Sequence, residues 1–432
     1  MQISPGLAYG TRVILRLAQS QSRRTLLLLG ASGLGQLITF AATPVLARLY
    51  DPTDFGVFAG IMSVVSLSAG VVHGRYHMAI PSSRDESEAV ALFALASLLS
   101  VVLAPATVLF VVFLIGQNVG GISILLFVGI ATAFTLLTAL IDIFSYWRSH
   151  RQRFGVSAQN AIARAGITAG AQIALSPVSV IGLVGGAMAG ALAALALSIR
   201  DVVRHDRQSL IWPSWKQLLG VARDYSGYPF FGMPQGLIAA VSWNVLPLLL
   251  LHFSGVDSAG QYWLAYRLLI APVALLNGSY RQATLPIMGR GDRLSATRMA
   301  RRHSLNLLIL AATAAIPVYL FGETLFALLL GEEWRLAGAM AAWLGIGITA
   351  DIAKIPAMCM LQSKAWHRSI LIWETTIVAV RYGVMLPFLG HGDVITAVAI
   401  FSLVGFLGWM SFCVYHLSGA TNGGIGEAGM ES

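Results

Sequence analysis

Long apolar runs separated by short polar breaks, with Lys and Arg gathered in alternate breaks, constrain this chain more than any motif does. A hydrocarbon core about 30 Å thick is crossed by roughly 20 apolar residues rising about 1.5 Å each. Breaks that keep their basic residues stay in the cytoplasm. On that template about twelve spans fall near residues 25–47, 55–74, 88–115, 121–145, 158–175, 178–199, 229–252, 259–280, 303–322, 337–360, 369–389 and 394–417. With the N-terminus inside, the inner breaks hold Arg12, Arg16, Arg23 and Arg24, then Arg75 and Arg84, then Arg148, Arg151 and Arg153. They continue with Arg200, Arg204, Arg207, Lys216 and Arg223, then Arg281, Arg290, Arg293, Arg298, Arg301 and Arg302, and end with Lys364 and Arg368. The outer side has only Arg48 and Arg335. An even number of spans returns the C-terminus to the cytoplasm as well.

Composition excludes the soluble alternatives. Over 432 residues, 56% are hydrophobic and 11% charged, too apolar for a water-soluble chain of this size. The net charge of +9 lies in breaks between spans rather than on a solvated fold, so it reads as membrane orientation and not as a nucleic-acid partner. Cys359 and Cys413 both sit in apolar segments, which argues against a disulfide framework or a zinc site. No metal-ligand spacing, nucleophile constellation or cofactor motif is present, so no catalytic, metal or cofactor site is expected. The first apolar run is long enough to span and should remain as a helix rather than be cleaved.

No polar segment is long enough to be a domain of its own. The longest, 200–228, is basic and carries Trp212 and Trp215 around Pro213, which suits a helix on the inner leaflet or a plain connector. It would join a six-helix half at 1–199 to a second at 229–417, with a Gly-, Ala- and Ser-rich tail at 418–432 expected to be disordered. An offset of 204 residues supports duplication: Asp54 to Phe58 opens one span, Ser258 to Tyr262 opens another, and Tyr76 and Tyr280 stand at the inner ends. Two repeats about an axis along the membrane normal are a transporter architecture, with a path between them. The expected fold is therefore an all-α polytopic membrane protein with two six-helix halves around a central cavity.

The stretch LARLYDPTDFGVFA from Leu46 to Ala59, followed by GRYHMAIPSSRDESEAVAL from Gly74 to Leu92, resembles the Wzx-type polysaccharide flippases of the multidrug/oligosaccharidyl-lipid/polysaccharide exporter superfamily. SYWRSHRQRFGVSAQNAIARA from Ser145 to Ala165 is a second family-like stretch. The resemblance implies flipping of undecaprenyl-diphosphate-linked oligosaccharide units across a bacterial inner membrane. It also implies neighbours among polysaccharide polymerase and chain-length proteins.

The residues that orientation does not explain are the charges within spans. A charge at bilayer depth costs from about 2.5 to well over 10 kcal/mol, so it faces a cavity or a partner. Arg267 and Arg381 lie near the middle of their spans, while Arg164 and Lys354 lie in cytoplasmic halves. A guanidinium fork suits phosphate oxygens, so these four, with Arg75 and Arg281 at the inner mouth, are the candidate substrate-binding residues. The competing reading is internal pairing: Asp351 and Lys354 are three residues apart, and Glu374 and Arg381 are two turns apart. Asp142, Asp351 and Glu374 are candidates to carry a proton or a sodium ion, if they do not merely neutralise the cations. At the corner after the first span, Asp54 can cap the next helix and Arg48 can neutralise the helix end. Gly182, Gly185, Gly186 and Gly190 permit close helix packing. Two other functions stay open. One is export of a lipid II-like precursor or a drug. The other is a membrane glycosyltransferase or polymerase, which would draw on the largest outer loop, about 323–336, with its Glu323, Glu332 and Glu333.

Overall fold

A computed structural model describes residues 33–115, 123–207, 212–290, 292–363 and 367–418. Among these residues the chain is helical throughout, with no strand. The helices are α1 (33–49), α2 (Pro52–Ala69), α3 (Glu86–Ile115), α4 (Ile124–His150), α5 (Phe154–Ala174), α6 (Val180–His205) and α7 (Trp215–Asp224). They continue as α8 (Met233–Phe253), α9 (Val256–Arg290), α10 (Arg293–Leu330), α11 (Arg335–Ala353), α12 (Ile355–Ser363), α13 (His367–Gly390) and α14 (Val394–Leu417). The basic residues from Arg12 to Arg24, Lys364 and the tail beyond 418 lie outside the described residues.

Counting α11 and α12 as one broken passage and leaving out the short α7, these helices make the twelve crossings that the apolar runs predict. Nine segments among the described residues are long and apolar enough to cross a membrane on their own. The crossing at α1, described over 17 residues, is not among them, nor are those at α5 and α9. Both carry polar residues that would be costly against lipid, and both turn them toward the interior instead.

Three boundaries depart from expectation. The basic stretch from 281 to 302, expected as a loop, is largely helix: α9 and α10 run on past the bilayer, and Asp292 caps α10 by accepting from the Ser295 amide at 3.4 Å. The outer loop expected at 323–336 shrinks to residues 331–334, because the apolar run through Leu330 continues α10. Its Trp334 is fully buried rather than presented to solvent. At the corner, Asp51 and not Asp54 caps α2, with Pro52 in the first turn; the Asp54 amide donates to Asp51 Oδ1 at 2.8 Å. Asp54 accepts instead from the Ser179 hydroxyl at the start of α6.

Glycine sets how closely the helices approach. Gly182, Gly186 and Gly190 form a stripe of period four on α6 that lies against α5. A Cβ at Gly186 would fall 2.5 Å from Gln172 Cγ, and one at Gly190 would lie 2.8 Å from the Arg164 carbonyl oxygen. Gly185, off that stripe, has its nearest neighbour at 3.8 Å. Between the halves, α2 and α9 meet reciprocally. A Cβ at Gly56 would strike the Val256 carbonyl oxygen, and a Cβ at Gly260 would strike the Pro52 carbonyl oxygen. The two glycines, Gly56 and Gly260, are related by the offset of 204, and so are the two residues they meet, Pro52 and Val256.

The halves also touch at both ends. On the outer side the Trp334 indole N–H donates to Ala47 O at 2.8 Å, its ring packs edge-on to Phe55 at 5.2 Å, and Arg48 donates to the Leu328 and Leu329 carbonyls at 3.5 and 3.3 Å. Arg48 thus caps the C-terminal end of α10, a favourable place for a cation. The other outer cation, Arg335, pairs with Glu332 at 2.8 Å. On the inner side the Arg75 guanidinium lies on the backbone of Gly236 in α8, and the Tyr76 hydroxyl donates to Ala222 O in α7 at 3.0 Å. Helix α7 starts with a capping box from Ser214 and Gln217; it buries Leu218 and Val221 and leaves Trp215 and Leu219 about 70% exposed.

Candidate functional site

Between the halves lies a cavity of about 520 Å³. Its walls come from α1, α2, α4, α5 and α6 on one side and from α9 on the other, so the polar stripe of α5 and the mid-depth face of α9 both turn into it. Arg164 and Arg267 both line it. Arg164 is ten residues from the inner start of α5 and Arg267 eleven from the outer start of α9. At about 1.5 Å per residue each lies roughly 15 Å along its helix, near the bilayer middle. Arg267 has no hydrogen bond and no ion pair among the described residues, and Arg164 makes neither with a protein partner. Asp142 on α4 acts on both Arg164 and Arg75 through space without forming a close pair with either. Two half-buried cations thus stand at one depth in one cavity, free to engage an anion.

The other four candidates are elsewhere. Arg281 is exposed and lines a second cavity of about 320 Å³ together with Asp351, Lys354, Tyr266 and Trp243. There Lys354 is held by Asp351 at 2.5 Å and lies over the Trp409 ring at 3.5 Å, the internal pairing that their spacing allows. Glu374 interacts with both charges of this pair through space. It does not pair with Arg381. Arg381 is only 2% exposed, donates from Nε to Phe401 O at 3.0 Å, and stacks on Phe401 at 3.8 Å. It lines neither cavity and fills the space above Gly405, where a Cβ would lie 2.6 Å from its guanidinium. Arg75, half-buried, bridges the halves at the inner end.

Beyond the end of α2, His73 and His77 lie with ring centroids 3.7 Å apart, tilted to one another, and are both buried. Burial, with the charges of His77 and Arg75 added, pushes His73 down to about 2; burial and Arg75 push His77 to about 3. Both are therefore neutral at cytoplasmic pH. Nearby, Arg153 binds Asp201 at 3.1 Å and Asp206 at 2.5 Å, Arg151 reaches Asp206 at 3.3 Å, and the Trp147 indole donates to Asp206 at 3.0 Å. Burial would raise the Asp206 carboxyl, but these partners hold it below the usual range. These basic residues do structural work at the inner face beyond setting orientation.

Charge counting missed the uncharged members of the first cavity: Gln36, Thr39, Thr168, Gln172 and Trp263. A signal for some of them was there to read. Asn160, Arg164, Thr168 and Gln172 recur every four residues on α5, a polar stripe along one helix face.

This helical bundle with a polar cavity between its halves shares its fold with a solved transporter of the multidrug/oligosaccharidyl-lipid/polysaccharide (MOP) superfamily. It is similar to an inward-facing multidrug resistance MATE family transporter of that superfamily, with TM-score 0.62 and 15% identity, covering 92% of this chain and 99% of the other. It is also similar to the lipid II flippase MurJ in an inward closed conformation, with TM-score 0.69 and 11% identity over 91% and 87% of the two chains. The MATE multidrug transporter DinF-BH gives 0.54 and 16% over 94% and 96%. The sequence profile of the polysaccharide biosynthesis protein family matches residues 45–338, more than half of the chain, and the chain belongs to that family. No curated protein sequence matches it.

Proposed function

We propose that the chain is a flippase that moves an undecaprenyl-diphosphate-linked oligosaccharide from the inner to the outer leaflet of the bacterial inner membrane. The observation that carries this reading is the pair Arg164 and Arg267, near the middle of the bilayer in one cavity and without a hydrogen bond or close ion pair among the described residues. A diphosphate crossing hydrocarbon needs a fixed cation to replace its hydration, and a guanidinium fork fits its oxygens in pairs. The family's place in polysaccharide biosynthesis and the fold shared with a lipid II flippase support a lipid-linked cargo. A carrier of this kind makes and breaks no covalent bond, so it is not an enzyme.

In this reading the units at 1–199 and 229–417 rock about the α2–α9 contact, the 200–228 segment lies along the inner leaflet, and the tail at 418–432 stays cytoplasmic. Arg75 and Arg281 gather the headgroup at the inner mouth, and Arg381 and Lys354 shape the second half's interior. Asp142 is the foremost ion-coupling candidate, since a proton or sodium ion on it would alter the field on Arg164; Asp351 and Glu374 are the others. Polymerase and chain-length proteins would receive the product outside.

Arg267→Ala should abolish or strongly reduce surface polysaccharide at matched protein levels, and Arg267→Lys should restore part of it by returning the charge without the fork. Unchanged surface polysaccharide in the alanine variant would sink the proposal.

A further inference from the structure

The central cavity has two orphaned hydrogen-bonding atoms as well as its cations. Gln172, on α5, is 1% exposed; its Nε2 donates to Leu183 O at 2.9 Å, which fixes the amide, while its Oε1 is buried without a partner. Trp263, on α9 of the other half, has its Nε1–H also buried without a partner, and its ring is held edge-on to Phe58 at 6.4 Å. Both residues line the cavity that holds Arg164 and Arg267. More than nine in ten buried polar groups are paired, because leaving one unpaired costs the desolvation of that group. An acceptor and a donor unpaired in one cavity wall therefore call for a ligand group that both donates and accepts.

We infer that Gln172 and Trp263 form a sugar subsite that recognises the first sugar of the cargo, beside the two arginines that take its diphosphate. A hexose hydroxyl donates to Gln172 Oε1 and accepts from Trp263 Nε1–H, and the indole face offers an apolar surface to the ring's C–H groups. Gln36, Thr39 and Thr168 add hydroxyl and amide groups on the same wall. A diphosphate is an acceptor only and cannot satisfy Gln172 Oε1, so this pair discriminates on the sugar and not on the charge. Neither orphaned atom is solvent-exposed here, so α5 and α9 part slightly to admit the sugar, with the amide of Gln172 kept in place. The packing of Gly186 on Gln172 holds the acceptor in place.

This inference rests on the flippase reading, and one experiment separates their failures. The full chain in nanodiscs is titrated with undecaprenyl diphosphate and with undecaprenyl diphosphate bearing one glucose, galactose or N-acetylglucosamine. The wild type should bind at least one sugar-bearing lipid ten times or more tighter than the sugarless lipid. Trp263→Phe, which keeps a ring but deletes the donor, and Gln172→Leu should each erase most of that margin, weakening the sugar-bearing lipid far more than the sugarless one. Arg267→Ala should weaken all four lipids alike. Absence of a sugar-dependent margin in the wild type, or its survival in both variants, overturns the sugar subsite and leaves the flippase reading standing. Failure of the wild type to bind any of the lipids overturns both. Thermal melts of each variant identify any that lose binding through misfolding, and Trp263→Phe, the milder change, then decides between the outcomes.

Discussion

Weakening the outer contact between the halves should open the cavity outward. Trp334→Phe keeps most of the buried ring against Phe55 but deletes the N–H that reaches Ala47 O at 2.8 Å, leaving a carbonyl in a fully buried residue without that donor. The loss amounts to about 1–3 kcal/mol. Arg48→Ala removes two long, exposed hydrogen bonds to the end of α10, for about 0.5–1 kcal/mol after solvent screening. Together they shift the balance by about 1.5–4 kcal/mol, or roughly tenfold to several hundredfold in population, if the contact is absent when the outer side is open. The assay is chemical accessibility. In a background lacking Cys359 and Cys413, a Thr39→Cys reporter on the cavity wall is labelled with a membrane-impermeant maleimide applied from outside. The single Trp334→Phe variant should label roughly ten times faster than its parent, and the double variant faster still. An unchanged rate in a protein of normal thermal stability would refute the assignment of these contacts as the outer closure.

Four further outcomes follow from other parts of the molecule. Gly56→Val and Gly260→Val each place methyl groups on a carbonyl of the opposite half and should both cost several kcal/mol or prevent folding, whereas Gly185→Val should be far milder; thermal melts in detergent test the contrast. Lys354→Met strands Asp351 in a buried site and should cost about 3–5 kcal/mol, while Lys354→Met with Asp351→Leu should recover much of it, as a double-mutant cycle of melts would measure. His73 and His77 titrate lower in the folded than in the unfolded chain, so their stabilisation is complete above the unfolded value near 6.5 and falls as pH drops below it. Each then loses on the order of 1 kcal/mol per pH unit, and a His73→Gln, His77→Gln variant should show a smaller fall in melting temperature between about pH 7.5 and about pH 5.5. Asp206, held below its usual range, stabilises at neutral pH and loses that contribution only as pH falls through the acid range. Asp206→Asn should therefore lower the melting temperature at about pH 7 and narrow the difference from wild type near pH 3.

Much of the fold was legible because hydrocarbon leaves few options. A span must be about 20 residues and helical, so apolar runs gave the helices of the bundle, and Lys and Arg give the expected orientation. The misses were at the ends, where that constraint stops. Nothing in a hydropathy pattern separates a loop from a helix that continues into water, and α9 and α10 do continue. Likewise the outer loop with its glutamates dissolved once Leu330 extended α10 and Trp334 turned inward.

The candidate site divided along a similar line. The sequence alone identified the four cations within spans, since each violates the cost of charge in lipid, but it could not rank them. Tertiary structure did that. It turned Arg164 and Arg267 toward one shared space, closed Lys354 onto Asp351, and wedged Arg381 above Gly405, because only packed helices decide whether a side chain at depth meets a cavity or a partner. Orientation in the membrane follows from a one-dimensional balance of hydrophobicity and charge. A binding site depends on two helices about a hundred residues apart in sequence meeting at one depth, as α5 and α9 do, and three-dimensional packing settles that.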